Sequence, residues 1–117
     1  MDDQNYARLR SSLLREGAVF GVILPDGWFG RPYDNMLKCT GLRRANDFVE
    51  ISLNDWVEVR IEGKAEVQLT RGDGHSGNQL EIGGFENAKF SYVPIGATTP
   101  VNEVYDSGQV VLVDLSS

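Results

Sequence analysis

Apolar and polar residues change their period once along this chain, near Gly17. Before it, Tyr6, Leu9, Leu13 and Leu14 recur at helical spacing, which predicts an amphipathic helix over residues 3–16. Its ends agree, because Asp2 and Asp3 suit the positive end of a helix dipole and Arg15 followed by Gly17 suits its close. After Gly17 the pattern becomes short apolar or alternating runs separated by turn residues. These predict strands at 18–24, 36–41, 47–53, 56–62, 65–70, 79–83, 88–93 and 109–115. Leu24-Pro25-Asp26-Gly27 places proline and glycine where a tight turn wants them.

The connections are too short for parallel crossovers, which need a dozen or more residues. The expected fold is α+β, mainly β: an antiparallel sheet of about six to eight short strands, open or rolled into a partial barrel, with the single helix packed on it. The last run, Gln109 to Leu115, is nearly all apolar and belongs in the middle of a sheet or beneath the helix. Residues 1–117 are read as one domain, since neither a repeat nor a low-complexity linker divides them.

Alternation from Phe48 to Thr70 allows a register to be argued. Val57, Val59 and Ile61 alternate with Glu58, Arg60 and Glu62; Ala65, Val67 and Leu69 alternate with Glu66, Gln68 and Thr70. Paired residues in an antiparallel ladder share a face, so a three-residue loop at Glu62-Gly63-Lys64 is preferred, pairing Val59 with Val67 and Arg60 with Glu66. The same logic upstream pairs Ile51 with Val59 and Glu50 with Arg60. Arg60 would then sit on a wet face between Glu50 and Glu66, flanked by Glu58 and Glu62. Such a face is either a solubilising ion-pair ladder or an acidic recognition surface.

Composition narrows the function classes. The net charge of −6 is uneven: residues 1–44 hold seven Lys or Arg against five Asp or Glu, and residues 45–117 hold four against twelve. That field repels nucleic-acid phosphate and attracts a basic partner. Cys39 is the one cysteine, so no internal disulfide can form. The charged opening from Met1 carries no apolar leader, and the longest apolar stretch, Ala18 to Leu24, is too short to span a bilayer. A cytoplasmic protein that binds neither membrane nor nucleic acid is expected.

Candidate chemistry is sparse. Trp28-Phe29-Gly30-Arg31-Pro32-Tyr33-Asp34-Asn35 gathers three aromatics, an arginine and short polar side chains into one loop, and Trp28, Phe29, Arg31, Tyr33 and Asp34 are its candidate binding residues. The alternative is that Trp28 and Phe29 merely cap the core. Arg71 to Asn78 is a polar, glycine-rich loop that spells neither a phosphate-binding loop nor a nucleophile elbow. Its Arg71-Gly72-Asp73 tripeptide is too short to carry an adhesive role in a chain read as intracellular. His75 is the only histidine, so a nucleophilic triad would have to recruit it with Cys39 or a distant serine. The outward glutamates need no catalytic explanation beyond strand alternation.

No catalytic residue, metal site or cofactor is therefore assigned. The preferred expectation is a small acidic protein-binding domain of the inhibitor or immunity-protein kind, neutralising a basic partner through Glu50, Glu58, Arg60 and Glu66 or through the Trp28–Asn35 loop. The alternatives are a small-molecule-binding or enzymatic domain with a pocket at that loop, and a structural subunit of an assembly; a homodimer is left open.

Overall fold

The structure, a computed structural model, describes residues 1–29, 36–71, 78–94 and 96–115. Helix α1 spans Asp3–Leu13 and stops short of the expected end, with Leu14 as its C-cap. Asp2 is the N-cap, its carboxylate accepting from the Asn5 N–H at 2.8 Å. Leu9 and Leu13 of the predicted stripe are buried. Ten strands follow among the described residues: β1 Phe20–Leu24, β2 Gly27–Trp28, β3 Cys39–Arg44, β4 Phe48–Leu53, β5 Val57–Glu62, β6 Glu66–Thr70, β7 Gln79–Gly83, β8 Asn87–Tyr92, β9 Val101–Tyr105 and β10 Val110–Asp114.

They form two antiparallel sheets of five, in the orders β2-β1-β10-β7-β6 and β3-β4-β5-β8-β9. The fold is thus α+β and mainly β, as the periodicity implies. The apolar β10 lies at the centre of the first sheet, hydrogen-bonded to β1 and β7. Leu24 pairs with Gly27, leaving Pro25 and Asp26 as a two-residue turn. Inward side chains of both sheets and of α1 form one hydrophobic cluster. The sheets also approach each other through Phe20 and Leu37, whose backbones exchange hydrogen bonds of 2.7 and 2.8 Å just ahead of β3.

The β4–β5 register is the expected one, with Glu50 opposite Arg60 and Ile51 opposite Val59. The β5–β6 hairpin is not formed. β5 pairs with β4 and β8, while β6 crosses to the first sheet and pairs with β7, so Glu66 stands opposite Gly83 and Arg60 opposite Lys89. The chain turns this corner at Gly63, at φ 84°, where a Cβ would lie 2.5 Å from Cγ of Glu86. Either path sends Val59 and Val67 inward, so alternation alone does not separate a hairpin from a change of sheet.

Two strands were not expected. β2 has only two residues, and β9 follows Pro100 with a mostly exposed Val-Asn-Glu-Val-Tyr sequence that lacks an apolar run. Among the described residues, no helix is long and apolar enough to cross a membrane.

Candidate functional site

Strand pairing lays a row of charged side chains across the outer face of the second sheet: Arg43 on β3, Glu50 on β4, Arg60 on β5 and Lys89 on β8. Glu50 accepts from Arg43 at 2.9 Å and lies 3.4 Å from Arg60. Glu62, one step along β5, lies 3.1 Å from Arg60 Nε and 3.3 Å from Lys89. The Arg60 guanidinium also stacks 3.8 Å over the Phe48 ring. The side-chain amide of Asn87, then the Lys89 ammonium, hold the Glu62 carboxyl below its usual range. Half-exposed pairs of this kind contribute about 0–1 kcal/mol each.

This face is charge-balanced. Its Glu50 and Glu62 are matched by Arg43, Arg60 and Lys89, and Glu66 lies on the other sheet, away from Arg60. Glu58 brings the face to three carboxylates against three cations; it is exposed, lines a shallow hollow with Arg60 and Lys89, and makes no ion pair among the described residues.

Glu58 leads to a second feature at the end of β5. The residues between β4 and β5 are Asn54, Asp55 and Trp56, and the first two occupy the left-handed region at φ 52° and 62°. Asparagine and aspartate tolerate that region better than other side chains. The preceding segment locks the turn: the Lys38 N–H donates to Asn54 Oδ1 at 2.8 Å, Asn54 Nδ2 donates to the Met36 carbonyl at 3.3 Å, and the Asp55 N–H donates to Thr40 Oγ1 at 3.2 Å. Trp56 is half-buried beside Phe29, their ring centroids 6.0 Å apart, and its carbonyl accepts from the Val93 N–H at 3.3 Å.

A groove of about 370 Å³ opens there, lined by Asp55, Trp56, Glu58, Ser91, Tyr92, Val93, Pro100 and Asn102. Its lining combines aromatic and aliphatic side chains with two exposed carboxylates, and no lysine or arginine among the described residues lines it. Ser91 Oγ and Asn102 Oδ1, 2.6 Å apart, tie β8 to β9 along one wall. A larger groove of about 600 Å³ at the opposite end of the sheet sets Asp47, Glu62 and Glu86 beside Arg60 and Lys64, so cations and carboxylates offset each other within it.

The aromatic loop divides. Trp28 is 45% exposed, whereas Phe29 packs into a cluster with Phe90 at 4.8 Å and Tyr92 at 4.9 Å between centroids. Arg31, Tyr33 and Asp34 lie outside the described residues, as do His75 and most of the glycine-rich loop. Cys39 is buried, and burial pushes its thiol above the ordinary range. Among the described residues no three His, Cys, Asp or Glu side chains converge as metal ligands.

Sequence reasoning missed Asp55, Trp56, Tyr92, Val93, Pro100 and Asn102 as a group. The available signal was Asn54-Asp55 followed by an aromatic, a pair suited to a tight left-handed turn. Comparison with protein-family models, with curated proteins and with solved structures found nothing that matches this chain.

Proposed function

We propose that this chain is a protein-binding domain for a basic partner, acting in the cytoplasm as an inhibitor or immunity-type neutraliser, with the Asp55–Glu58 groove as its contact. The observation that carries this reading is the placing of two carboxylates that make no ion pair among the described residues against an apolar lining, beside a sheet face whose Glu50 and Glu62 are ion-paired. A lysine or arginine fits both parts. Its charged head meets Asp55 and Glu58, and its aliphatic stem lies along Val93 and Pro100. Stacking on Trp56 or Tyr92 adds about 0.5–2 kcal/mol where the cation is desolvated. The overall charge of −6 steers such a partner toward the domain before contact.

The test compares capture from the native host by the wild-type chain and by the Asp55→Asn/Glu58→Gln double variant, at low and high salt. A basic protein retained by the wild type at low salt, released by salt and lost with the double variant supports the reading. Equal retention of the same protein by both chains contradicts it.

A further inference from the structure

The two sheets have four outer edges, and three of them are blocked against further strands. At β6, the Val67 N–H donates to Asn5 Oδ1 at 2.8 Å and the Val67 carbonyl accepts from Arg8 at 3.3 Å, so α1 occupies that edge. β2 is only two residues long. β3 is broken by a register shift between Cys39 and Gly41 and ends in Arg43 and Arg44. These are the usual devices that keep sheet edges from recruiting other chains. Among the described residues β9 has no such cap, break or cation, and its one charged side chain is Glu103, opposite Phe90. The strand is five residues long, pairs with β8 without a register break, contains no proline, lysine or arginine, and exposes Val101 and Val104 at 36% and 57%.

We propose that the outer edge of β9, unpaired among the described residues, is a strand-addition site, where an extended, lysine- or arginine-bearing segment of a partner becomes the next strand of the second sheet. This rests on the basic-partner reading and gives it a recognition mode: main-chain hydrogen bonds supply affinity and alternate side chains supply selectivity.

Charge selects this occupant over a second copy of the chain. β9 and the turn after it carry Glu103 and Asp106 and no lysine or arginine, so two β9 edges would bring carboxylates together. Tyr105 sharpens the point, because its hydroxyl lies 2.5 Å from Glu103 and 3.1 Å from Asp26. A phenol has one proton to donate, so when both carboxyls are ionised one of them is left as an acceptor for a cation beside the edge. At the other end of β9, Pro100 and Asn102 line the Asp55–Glu58 groove, so one extended segment passes from edge to groove.

The probe is a short blocked peptide of alternating lysine and valine, with the same peptide N-methylated at alternate residues as its control. Amide exchange of the full chain is followed by NMR. The expected result is that alternate β9 amides slow by about tenfold or more at saturation, and that N-methylation of the peptide abolishes this. Unchanged β9 exchange in the bound state, or equal binding by the N-methylated peptide, overturns the proposal. Perturbation of Asp55 to Glu58 alone overturns the edge and leaves the groove reading standing. Protection of β9 that is indifferent to Asp55→Asn/Glu58→Gln does the reverse. A dimer in sedimentation with β9 already protected would identify a second copy as the occupant and overturn the proposal.

Discussion

Asn5 and Val67, far apart in sequence, are joined by a 2.8 Å hydrogen bond from the Val67 backbone N–H to the Asn5 side-chain oxygen. With Arg8 on the carbonyl of the same residue, the helix acts as a cap on β6 as well as a cover for the core. Arg44, at the end of β3, reaches the same helix, 2.9 Å from Asp3 and stacked 4.5 Å over Tyr6. One element therefore ties both sheets. Replacing Asn5 with alanine is expected to cost about 1 kcal/mol in urea denaturation and to speed exchange of the Val67 amide. An unchanged Val67 exchange rate would show that the contact does not protect the edge.

Neighbours Trp28 and Phe29 should respond oppositely to truncation. Phe29 meets three aromatic rings within 6.0 Å, so Phe29→Ala is expected to destabilise by about 2–4 kcal/mol. Trp28→Ala, at an exposed position, should stay within about 0.5 kcal/mol of the wild type. Thermal and denaturant melts measure both, and equal losses would contradict the division of this loop.

Acid should weaken the Glu62 anchor. Its carboxyl titrates below the usual range because Asn87 and Lys89 favour the ionised form. The stability it provides is present above the ordinary glutamate pKa and is lost as pH falls from about 4 through the lower folded value. Glu62→Gln should flatten that part of the stability profile, as read by urea melts across acid pH.

Alkali should act at Tyr105. Burial first, then the carboxylates of Glu103 and Asp26, push its phenol well above the ordinary tyrosine range. In the unfolded chain this group ionises near pH 10. Its contribution is therefore complete below about pH 10 and declines as pH rises toward the higher folded value. Tyr105→Phe should make the alkaline limb shallower, and an identical limb in the variant would count against the assigned environment.

Legibility from sequence stopped where chain periodicity ceased to carry spatial information. The helix face at Leu9 and Leu13, the central β10 and the Glu50–Arg60 pair follow from spacing and from one short loop. The β5–β6 corner does not, because Val67 faces inward on either path. β9 escaped notice because an exposed edge strand has no apolar stripe to announce it. The groove escaped for a related reason. Asp55 and Pro100 come together only through the β5–β8–β9 ladder, and no short loop sets that register.

The groove itself is most directly tested by mapping backbone amide shifts while the chain is titrated with the alternating lysine–valine peptide at low salt. Perturbations centred on Asp55, Trp56 and Glu58, extending to Tyr92, Val93 and Asn102 and lost in the Asp55→Asn/Glu58→Gln variant, are the expected outcome. Shifts spread over Asp47, Glu66 and Glu86 with those positions silent would contradict it.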